Sequence, residues 1–293
     1  MVGADQLAAE VATEVLERPP SVARPWHQVN LLVGALIALA VVLTAVFASL
    51  VAPHPPLAID VAGKLQGPTA GHLAGTDQLG RDILSRAIYA SRVSVEVALI
   101  SVGIGVLFGV FIGTISAFTG GWLDNLLMRL MDIVYAFPAI LLAIAIMGGL
   151  GTNIVNAMIA IGIIFIPGFA RLSRAASLVV LRTQFVDAAR AIGMRPARII
   201  LSEILPNILP PLMVQATQGL AFAVVVEAAL SFLGLGVQPP DPSWGNMLRE
   251  GRGFMQHDAW MALTPGAAIF ITVLGFNLLG DGLRDYFDPR LRA

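Results

Sequence analysis

Few residues of this sequence have the types and spacing that catalysis or metal binding requires. The chain contains no cysteine, which excludes disulfides, thiolate metal sites and cysteine nucleophiles. A phosphate-binding loop needs a lysine after a glycine-rich run, and the single lysine, Lys64, has no such context. The histidines are scattered, and no pair has metal-ligand spacing: His27, His54, His72 and His257. The sequence therefore predicts no catalytic residue, cofactor site or metal site on this chain.

One carboxylate lies inside an apolar stretch. Glu227 follows three valines and precedes two alanines. A charged side chain in the middle of a bilayer costs about 3 kcal/mol or more on insertion scales, and such groups usually face the interior of a helix bundle. Two interpretations stay open: Glu227 is a pore-lining or gate residue, or it is a hydrogen-bonded carboxylate that fixes helix packing.

Two further sets of charges lie near the ends of apolar stretches. Arg92 and Glu96 are four residues apart, and Arg129 and Asp132 are three apart. Residues at these spacings are neighbours on a helix surface. We expect the first set to form an interfacial ion pair, and the second to form an interfacial or interhelical pair.

The composition indicates which solvent surrounds the elements that position these residues. The chain has 293 residues, of which 57% are hydrophobic and 13% are charged, and its mean hydropathy is +0.80. A soluble domain has about 25% charged residues, so the excess apolar surface predicts a chain embedded in membrane lipid. The net charge of −1 gives no basic field for binding nucleic acid.

Apolar runs predict an all-α polytopic membrane protein with about six transmembrane helices. Residues 1–28 are read as a polar tail, 29–51 as a first membrane helix without a cleavage site, and 52–90 as a polar segment. A stretch of about 20 apolar residues crosses the hydrocarbon core. Residues 91–283 form a core of five more spans, and 284–293 form a second tail. The five spans are predicted near Val93–Phe118, Leu126–Met147, Ile154–Ala170, Leu212–Leu233 and Leu263–Leu279.

Arginine placement predicts the orientation of these spans. Loops on the cytoplasmic side of a membrane carry an excess of Lys and Arg. Residues 171–198 carry a cluster of arginines, and the C-terminal tail adds more. We therefore expect both termini in the cytoplasm, segment 52–90 outside it, and the protein as a multi-pass component of a bacterial inner membrane.

The segment between the fourth and fifth spans, residues 172–211, is too long for a simple connection. Its alanines favour a helix that Gly193 would end, and Pro196 suits the start of a second short helix. Pro206 is then expected to break that helix before the fifth span. The pattern favours a helix–turn–helix at the membrane surface that docks on a soluble partner, and the alternative is a solvated loop.

These residues resemble a known family. Asp187-Ala188-Ala189, Gly193 and Leu205-Pro206 are similar to the EAA motif of ATP-binding-cassette (ABC) importer permeases. Further motifs resemble the C-type subunit of the dipeptide/oligopeptide (and nickel) family. They are found at Gly75–Asp82, Leu84–Arg86, Gly120–Trp122, Met128–Arg129, Leu230–Gly236, Gln238–Pro240, Ser243–Leu248, Asn277–Asp285 and Asp288–Arg290. Two departures are Asp187 in place of Glu, and Glu203 where the subfamily often has His.

The resemblance implies a type I ABC importer permease that passes dipeptides or oligopeptides. In such importers a second, homologous permease completes the pore as a heterodimer. Two separate ABC ATPase subunits hold ATP and Mg²⁺, and a substrate-binding protein delivers cargo from outside. The resemblance assigns ATPase coupling to the residues of the EAA motif and its flanks: Asp187, Ala188, Ala189, Arg190, Gly193, Met194, Arg195, Pro196, Leu205 and Pro206. Nickel chelates and glutathione remain open as other cargoes.

Two other function classes fit the sequence less well. An ion- or proton-coupled secondary transporter would use Glu227 and Asp132 as relay groups, but it predicts matched inverted halves, and none is clear in the sequence. An intramembrane enzyme would need a clustered nucleophile or metal set, which the sequence lacks.

Overall fold

A computed structural model describes residues 26–287, with side chains from residue 29 onward. The predicted tail positions 1–25 and 288–293 lie outside these residues. The described part is helical apart from turns, short 3₁₀ segments and one isolated β-bridge. Its α-helices are α1 (Trp26–Val46), α2 (Ala48–Val51), α3 (Ile83–Thr119), α4 (Gly121–Tyr135), α5 (Ala139–Leu150), α6 (Ile154–Val180), α7 (Gln184–Ala191), α8 (Pro196–Ile199), α9 (Leu205–Phe232), α10 (Trp244–Gly251) and α11 (Trp260–Phe287).

The spans differ from the sequence prediction mainly at their ends. Five stretches of the described residues are long and apolar enough to cross a membrane, and a bent pair of helices would make a sixth span. Helix α3 begins at Ile83, ten residues before the predicted span, because the Asp82 side chain caps it by accepting the Ser85 N–H at 2.7 Å. Helix α11 likewise begins at Trp260, so Pro265 lies inside it and does not start it.

The predicted third span is not one helix. Helices α4 and α5 meet at an angle of 90°, and Pro138 is the residue that precedes α5. A proline cannot donate the hydrogen bond that would continue α4, and it disfavours helical geometry at the residue before it. The apolar run 126–147, predicted as one span, therefore belongs to two helices that meet at Pro138.

Helices α3 and α6 form the centre of the bundle. Glycines on α3 allow the two backbones to approach closely: a Cβ added at Gly109 would lie 2.5 Å from the Phe169 Cβ, and one at Gly113 would lie 2.2 Å from the Ala170 carbonyl oxygen. Small residues play this part in membrane bundles. Gly103 has nothing within 4 Å of such a Cβ, so close helix packing explains Gly109 and Gly113 but not Gly103.

The break predicted at Pro206 is wrong. Helix α8 passes through a π-helical stretch, Ile200–Ile204, directly into α9. The whole stretch from Pro196 to Phe232 is one candidate span of 37 residues. A π-helical turn shifts the hydrogen-bond pattern just before Pro206, where a regular helix would require the N–H that proline lacks. The fifth span therefore extends into segment 172–211 without interruption.

Segment 52–82 and helix α10 cover one end of the bundle. Ser243 caps α10: its hydroxyl accepts the Asn246 N–H at 3.2 Å, and the Asn246 side-chain oxygen accepts the Ser243 N–H at 3.0 Å. Trp244 is buried and donates its indole N–H to the Ala87 carbonyl oxygen at 2.9 Å. These contacts favour the interpretation of α10 as a plug packed on the bundle.

Candidate functional site

Helix α7 has one buried side and one exposed side. Val186 and Ala189 are buried in the hydrophobic core cluster that also contains Ile199 of α8. Asp187, Ala188 and Arg190 are exposed. Asp187 and Arg190 form an ion pair at 3.5 Å along the helix, which at such exposure contributes little to stability. The acidic and basic groups of the EAA-like motif therefore lie on a surface that a partner can reach.

Gly193 ends α7 in a Schellman motif. Its N–H donates to the Arg190 carbonyl oxygen at 3.0 Å, and the Met194 N–H donates to the Ala189 carbonyl oxygen at 3.0 Å. Gly193 has a φ of 76°, a left-handed conformation that costs other residues energy. A Cβ at this position would meet nothing within 4 Å. Glycine is thus required here by backbone conformation, and not by crowding within this chain.

The second half of the motif lies on the helix that continues into the membrane. Arg195 precedes Pro196, which occupies the first turn of α8 as predicted. Met194 and Leu205 are half-buried, whereas Arg195, Pro196 and Pro206 are exposed. A displacement of the exposed α7–α8 turn would therefore be passed directly to α9.

The tip of segment 172–211 combines apolar and cationic groups. Ile192 is 78% exposed and Leu201 is 66% exposed. Arg195 and Arg198 lie between them and are also exposed. Exposed apolar side chains rimmed by charges are typical of protein–protein contact surfaces.

A charge cluster that the sequence did not single out joins three helices near this segment. Arg174 of α6 donates from Nε and Nη2 to the two carboxylate oxygens of Asp124 on α4, at 2.6 and 2.5 Å. The Ser116 hydroxyl of α3 donates to the same carboxylate. Such a two-point bond fixes orientation as well as distance. In the sequence, Arg174 is one of the arginines that indicate the cytoplasmic side of the membrane. Nothing in the local sequence connects it with Asp124.

Both predicted local ion pairs are wrong. Asp132 bonds Arg171 of α6 at 2.8 Å, and not Arg129; Arg171 also lies over the Tyr135 ring, at 4.2 Å. Arg92 does not pair with Glu96 but donates to the Ala45 carbonyl oxygen at 2.9 Å. The last carbonyls of a helix lack partners within that helix and attract cations. In both cases a partner on another helix replaced the neighbour along the chain.

Glu227 lies between helices and is 2% exposed. Its carboxylate accepts bonds from the Ser94 hydroxyl of α3 at 3.1 Å and from the Ser231 hydroxyl one turn further along α9 at 2.8 Å. It lies five residues before the end of α9 and so is not in the middle of the span. These contacts favour the packing interpretation of Glu227 within this chain.

A cavity opens where the bent pair meets α6 and α9. It has a volume of about 330 Å³ and combines aromatic side chains with one amide. Phe137 lies at the bend, Phe165 and Gly168 lie on α6, and Gln215 and Phe222 lie on α9. Pockets for small molecules share this character: mostly apolar walls with a few polar groups that fix orientation.

The opposite end of the bundle carries a buried ion network. Asp77 bonds Arg81 at 2.7 Å and also Arg86, which is 2% exposed. Arg86 and Arg81 both reach Glu250 of α10, at 3.0 and 3.3 Å. The network ties segment 52–82 to α10.

The expectation that no histidine has metal-ligand spacing holds along the sequence but not in space. Nitrogen atoms of His54 and His72 and an oxygen of Asp82 all lie within 4.8 Å of one another. His54 and His72 are 18 residues apart, and irregular turns connect them. The sequence therefore does not predict that their side chains meet.

The chain is similar to proteins of known function along most of its length. A family model described as "binding-protein-dependent transport system inner membrane component" matches residues 105–293. The dipeptide transport system permease protein DppC of Alkalihalophilus pseudofirmus is 45% identical over 89% of this chain and 86% of that protein. The glutathione transport system permease protein GsiD of Escherichia coli is 41% identical over 95% of each chain.

A solved structure shares the fold. An inward-facing form of the MetNI methionine ABC transporter matches 67% of this chain and 93% of that chain with a TM-score of 0.56, at 21% identity. The predicted all-α permease fold is confirmed by this match, and the alternative of a secondary transporter finds no support. The chain therefore belongs to the binding-protein-dependent transport system inner membrane components, the permease subunits of ABC importers.

Proposed function

We propose that this chain forms half of the translocation pore of an importer for short peptides, and that segment 172–211 couples the pore to separate ATPase subunits. The observation that carries the proposal is the unbroken helix from Pro196 to Phe232. At about 1.5 Å per residue, it connects an exposed tip to the far end of the bundle.

The coupling step follows from the exposed groups at that tip. The side chains of Asp187, Arg190 and Ile192 offer one anion, one cation and one large apolar group to a partner. When the ATPases close on ATP and Mg²⁺, a docked α7–α8 turn moves with them, and α6 and α9 move with the turn. The Arg174–Asp124 bond passes the movement of α6 to α4.

The cavity beside the bent pair supports the proposal that this side of the chain faces the pore. Helices α4 and α5 expose Leu130, Ile133 and Leu141 beyond what the chain itself covers. A second, homologous permease would cover part of this face and enclose the cavity. Gln215 supplies the single amide there, a group that can bond a peptide backbone without fixing its sequence.

Peptide cargo is supported by the relatives, since two of them are named for dipeptide or di/tripeptide transport. Glutathione, the cargo in the name of a third relative, is itself a short peptide. Selectivity is then set mainly by the substrate-binding protein outside the membrane. In this arrangement both termini of the chain lie in the cytoplasm.

The direct test is purification and reconstitution. The chain should co-elute with a second permease and two ATPase chains, and vesicles containing the complex should take up a labelled dipeptide only with ATP and the binding protein. The Asp187→Lys variant should assemble into the membrane but lose ATPase stimulation by loaded binding protein. Uptake by this chain alone, without an ATPase, would overturn the proposal.

A further inference from the structure

Three side chains with metal-ligand chemistry meet outside the membrane-spanning helices, at the beginning of α3. Asp82 Oδ1 lies 2.9 Å from His72 Nδ1, and Asp82 Oδ2 lies 3.9 Å from His54 Nδ1. The two imidazole rings lie side by side, with centroids 4.7 Å apart. Two imidazoles and a carboxylate are a common ligand set for divalent transition metals.

Backbone hydrogen bonds hold each of these residues in place. Asp82 caps α3 by accepting the Ser85 N–H, and the Ser85 hydroxyl in turn accepts the His54 N–H at 3.0 Å. The His72 N–H donates to the Thr69 hydroxyl at 3.0 Å. A binding site whose ligands are positioned by other contacts loses less entropy when it binds.

The electrostatics of the cluster suit a cation. Asp82 supplies a carboxylate at the centre of the cluster, where it accepts the Ser85 N–H at 2.7 Å and lies 2.9 Å from His72 Nδ1. Its side chain is 1% exposed, whereas those of His54 and His72 are 39% and 27% exposed, which leaves a path from solvent.

One ligand atom of the cluster lacks a partner. Nδ1 of His54 is buried and has no hydrogen bond among residues 26–287. Buried nitrogen atoms of this kind are uncommon, because each costs desolvation energy that no bond offsets. The atom faces the carboxylate of Asp82.

We propose that His54, His72 and Asp82 bind one divalent transition-metal cation of the zinc type on the outer side of this permease. Donor atoms around a tetrahedral zinc lie about 3.3 Å apart, given bonds of about 2.0–2.1 Å. Asp82 Oδ1 lies 2.9 Å from His72 Nδ1, Asp82 Oδ2 lies 3.9 Å from His54 Nδ1, and one donor atom from each residue lies within 4.8 Å of the other two, so small side-chain movements bring three donors to that spacing. On binding, the proton of His72 Nδ1 is carried by Nε2, which frees Nδ1 for the metal. One coordination position stays open to water.

A bound cation would tie three parts of the chain together. Residue 54 follows α2, residue 72 lies in the turns of segment 52–82, and residue 82 caps α3. The metal therefore links the end of the first membrane helix to the start of the second, and it should stabilise the folded chain by mass action.

The test uses the full chain in detergent, purified without a polyhistidine tag. Zn²⁺ is titrated in competition with a chromophoric chelator, and the melting temperature is followed with and without Zn²⁺. We expect one Zn²⁺ per chain at this site and a rise in melting temperature. His54→Ala and His72→Ala should each weaken binding by at least about tenfold and abolish the rise.

The matched control is His257→Ala. His257 is exposed and remote in sequence from the cluster, so its removal should leave the Zn²⁺ affinity and the temperature shift unchanged. Should His72→Ala fail to fold, His54→Ala decides alone, because removal of the His72 ring breaks a hydrogen bond to Asp82, whereas His54 Nδ1 makes no hydrogen bond among the described residues. Absence of saturable binding in the wild-type chain, or wild-type affinity in a folded His54→Ala or His72→Ala chain, overturns the proposal.

Discussion

At the residue scale, Gly193 and the hydroxyl-bonded Glu227 have the clearest physical roles. Gly193 has a φ of 76° with open space around it, so a substitution there acts through backbone conformation. Glu227 is enclosed by two serines, so a substitution there acts through hydrogen bonds. Each role can be separated from its alternative by a pair of substitutions.

The first pair is Gly193→Asn and Gly193→Val. Asparagine adopts left-handed geometry far more readily than a β-branched residue, for which the cost is about 1–2 kcal/mol or more. In the assembled transporter, Val should strongly reduce ATPase stimulation by loaded binding protein, and Asn should keep most of it. Equal loss in both variants would show instead that the partner surface requires the absence of a side chain.

The second pair is Glu227→Gln and Glu227→Leu. Glutamine can accept one serine hydroxyl at its amide oxygen and donate from its amide nitrogen to the other, so transport and melting temperature should stay near wild type. Leucine removes the acceptor of both hydroxyls and should cost about 1–3 kcal/mol of stability, measured by thermal denaturation in detergent. Loss of transport in a Glu227→Gln chain of normal stability would contradict the packing role and favour a gate or relay.

A third residue-scale prediction concerns Asp124. Asp124→Asn weakens a two-point bond to Arg174, and charged hydrogen bonds contribute about 1.5–3 kcal/mol each. The matched control is Asp132→Asn, which weakens a pair that is 43% and 55% exposed, worth about 0–1 kcal/mol. The melting temperature of the Asp124→Asn chain should be well below that of the Asp132→Asn chain. The reverse order would contradict the structural role of the Asp124–Arg174 bond.

At the element scale, α3 and α6 form the rigid centre, and α9 is the element that leaves the membrane. Their existence could be predicted from apolar runs, because lipid imposes a minimum length on any span, but each helix is longer than its predicted span. The N-cap at Ser243 and the helix end at Gly193 could also be predicted, since both depend on adjacent residues. Partners that are distant in sequence could not be predicted: Asp124 bonds Arg174, Asp132 bonds Arg171, and the His54 ring lies beside that of His72.

Two proline positions illustrate the same limit. Pro138 separates two helices at 90°, whereas Pro206 lies in a continuous one. The difference arises because a π-helical turn precedes Pro206, and no local sequence rule distinguishes these two outcomes. Local propensity predicts that a proline perturbs a helix, and the packing around it decides how.

The element-scale prediction compares Gly109→Val with Gly103→Val. A side chain at 109 would collide with Phe169 and with the Ile166 carbonyl oxygen, 2.7 Å away, whereas one at 103 meets nothing within 4 Å. Overpacking costs about 1–3 kcal/mol. We expect Gly109→Val to lower the melting temperature and the folded yield, and Gly103→Val to leave both unchanged. Equal behaviour of the two variants would contradict the α3–α6 packing.

At the scale of the whole molecule, the described residues form a helical bundle with two unlike ends. One end is closed by segment 52–82 and α10, held by the buried Arg86 network. The other end exposes segment 172–211. In transport by alternating access, a movement of the ATPase-facing end must change the opposite end of the bundle. The continuous helix Pro196–Phe232 connects the two ends.

The most direct test of this account locates the exposed tip. The chain lacks cysteine, so Ile192→Cys provides a single thiol at a position that is 78% exposed, and Leu73→Cys, at 65%, provides the control at the other end. A membrane-impermeant maleimide should label Cys at 73 in intact cells. It should label Cys at 192 only in inside-out vesicles, and less so once the ATPase subunits are added. Labelling at 192 in intact cells would contradict the coupling role of segment 172–211.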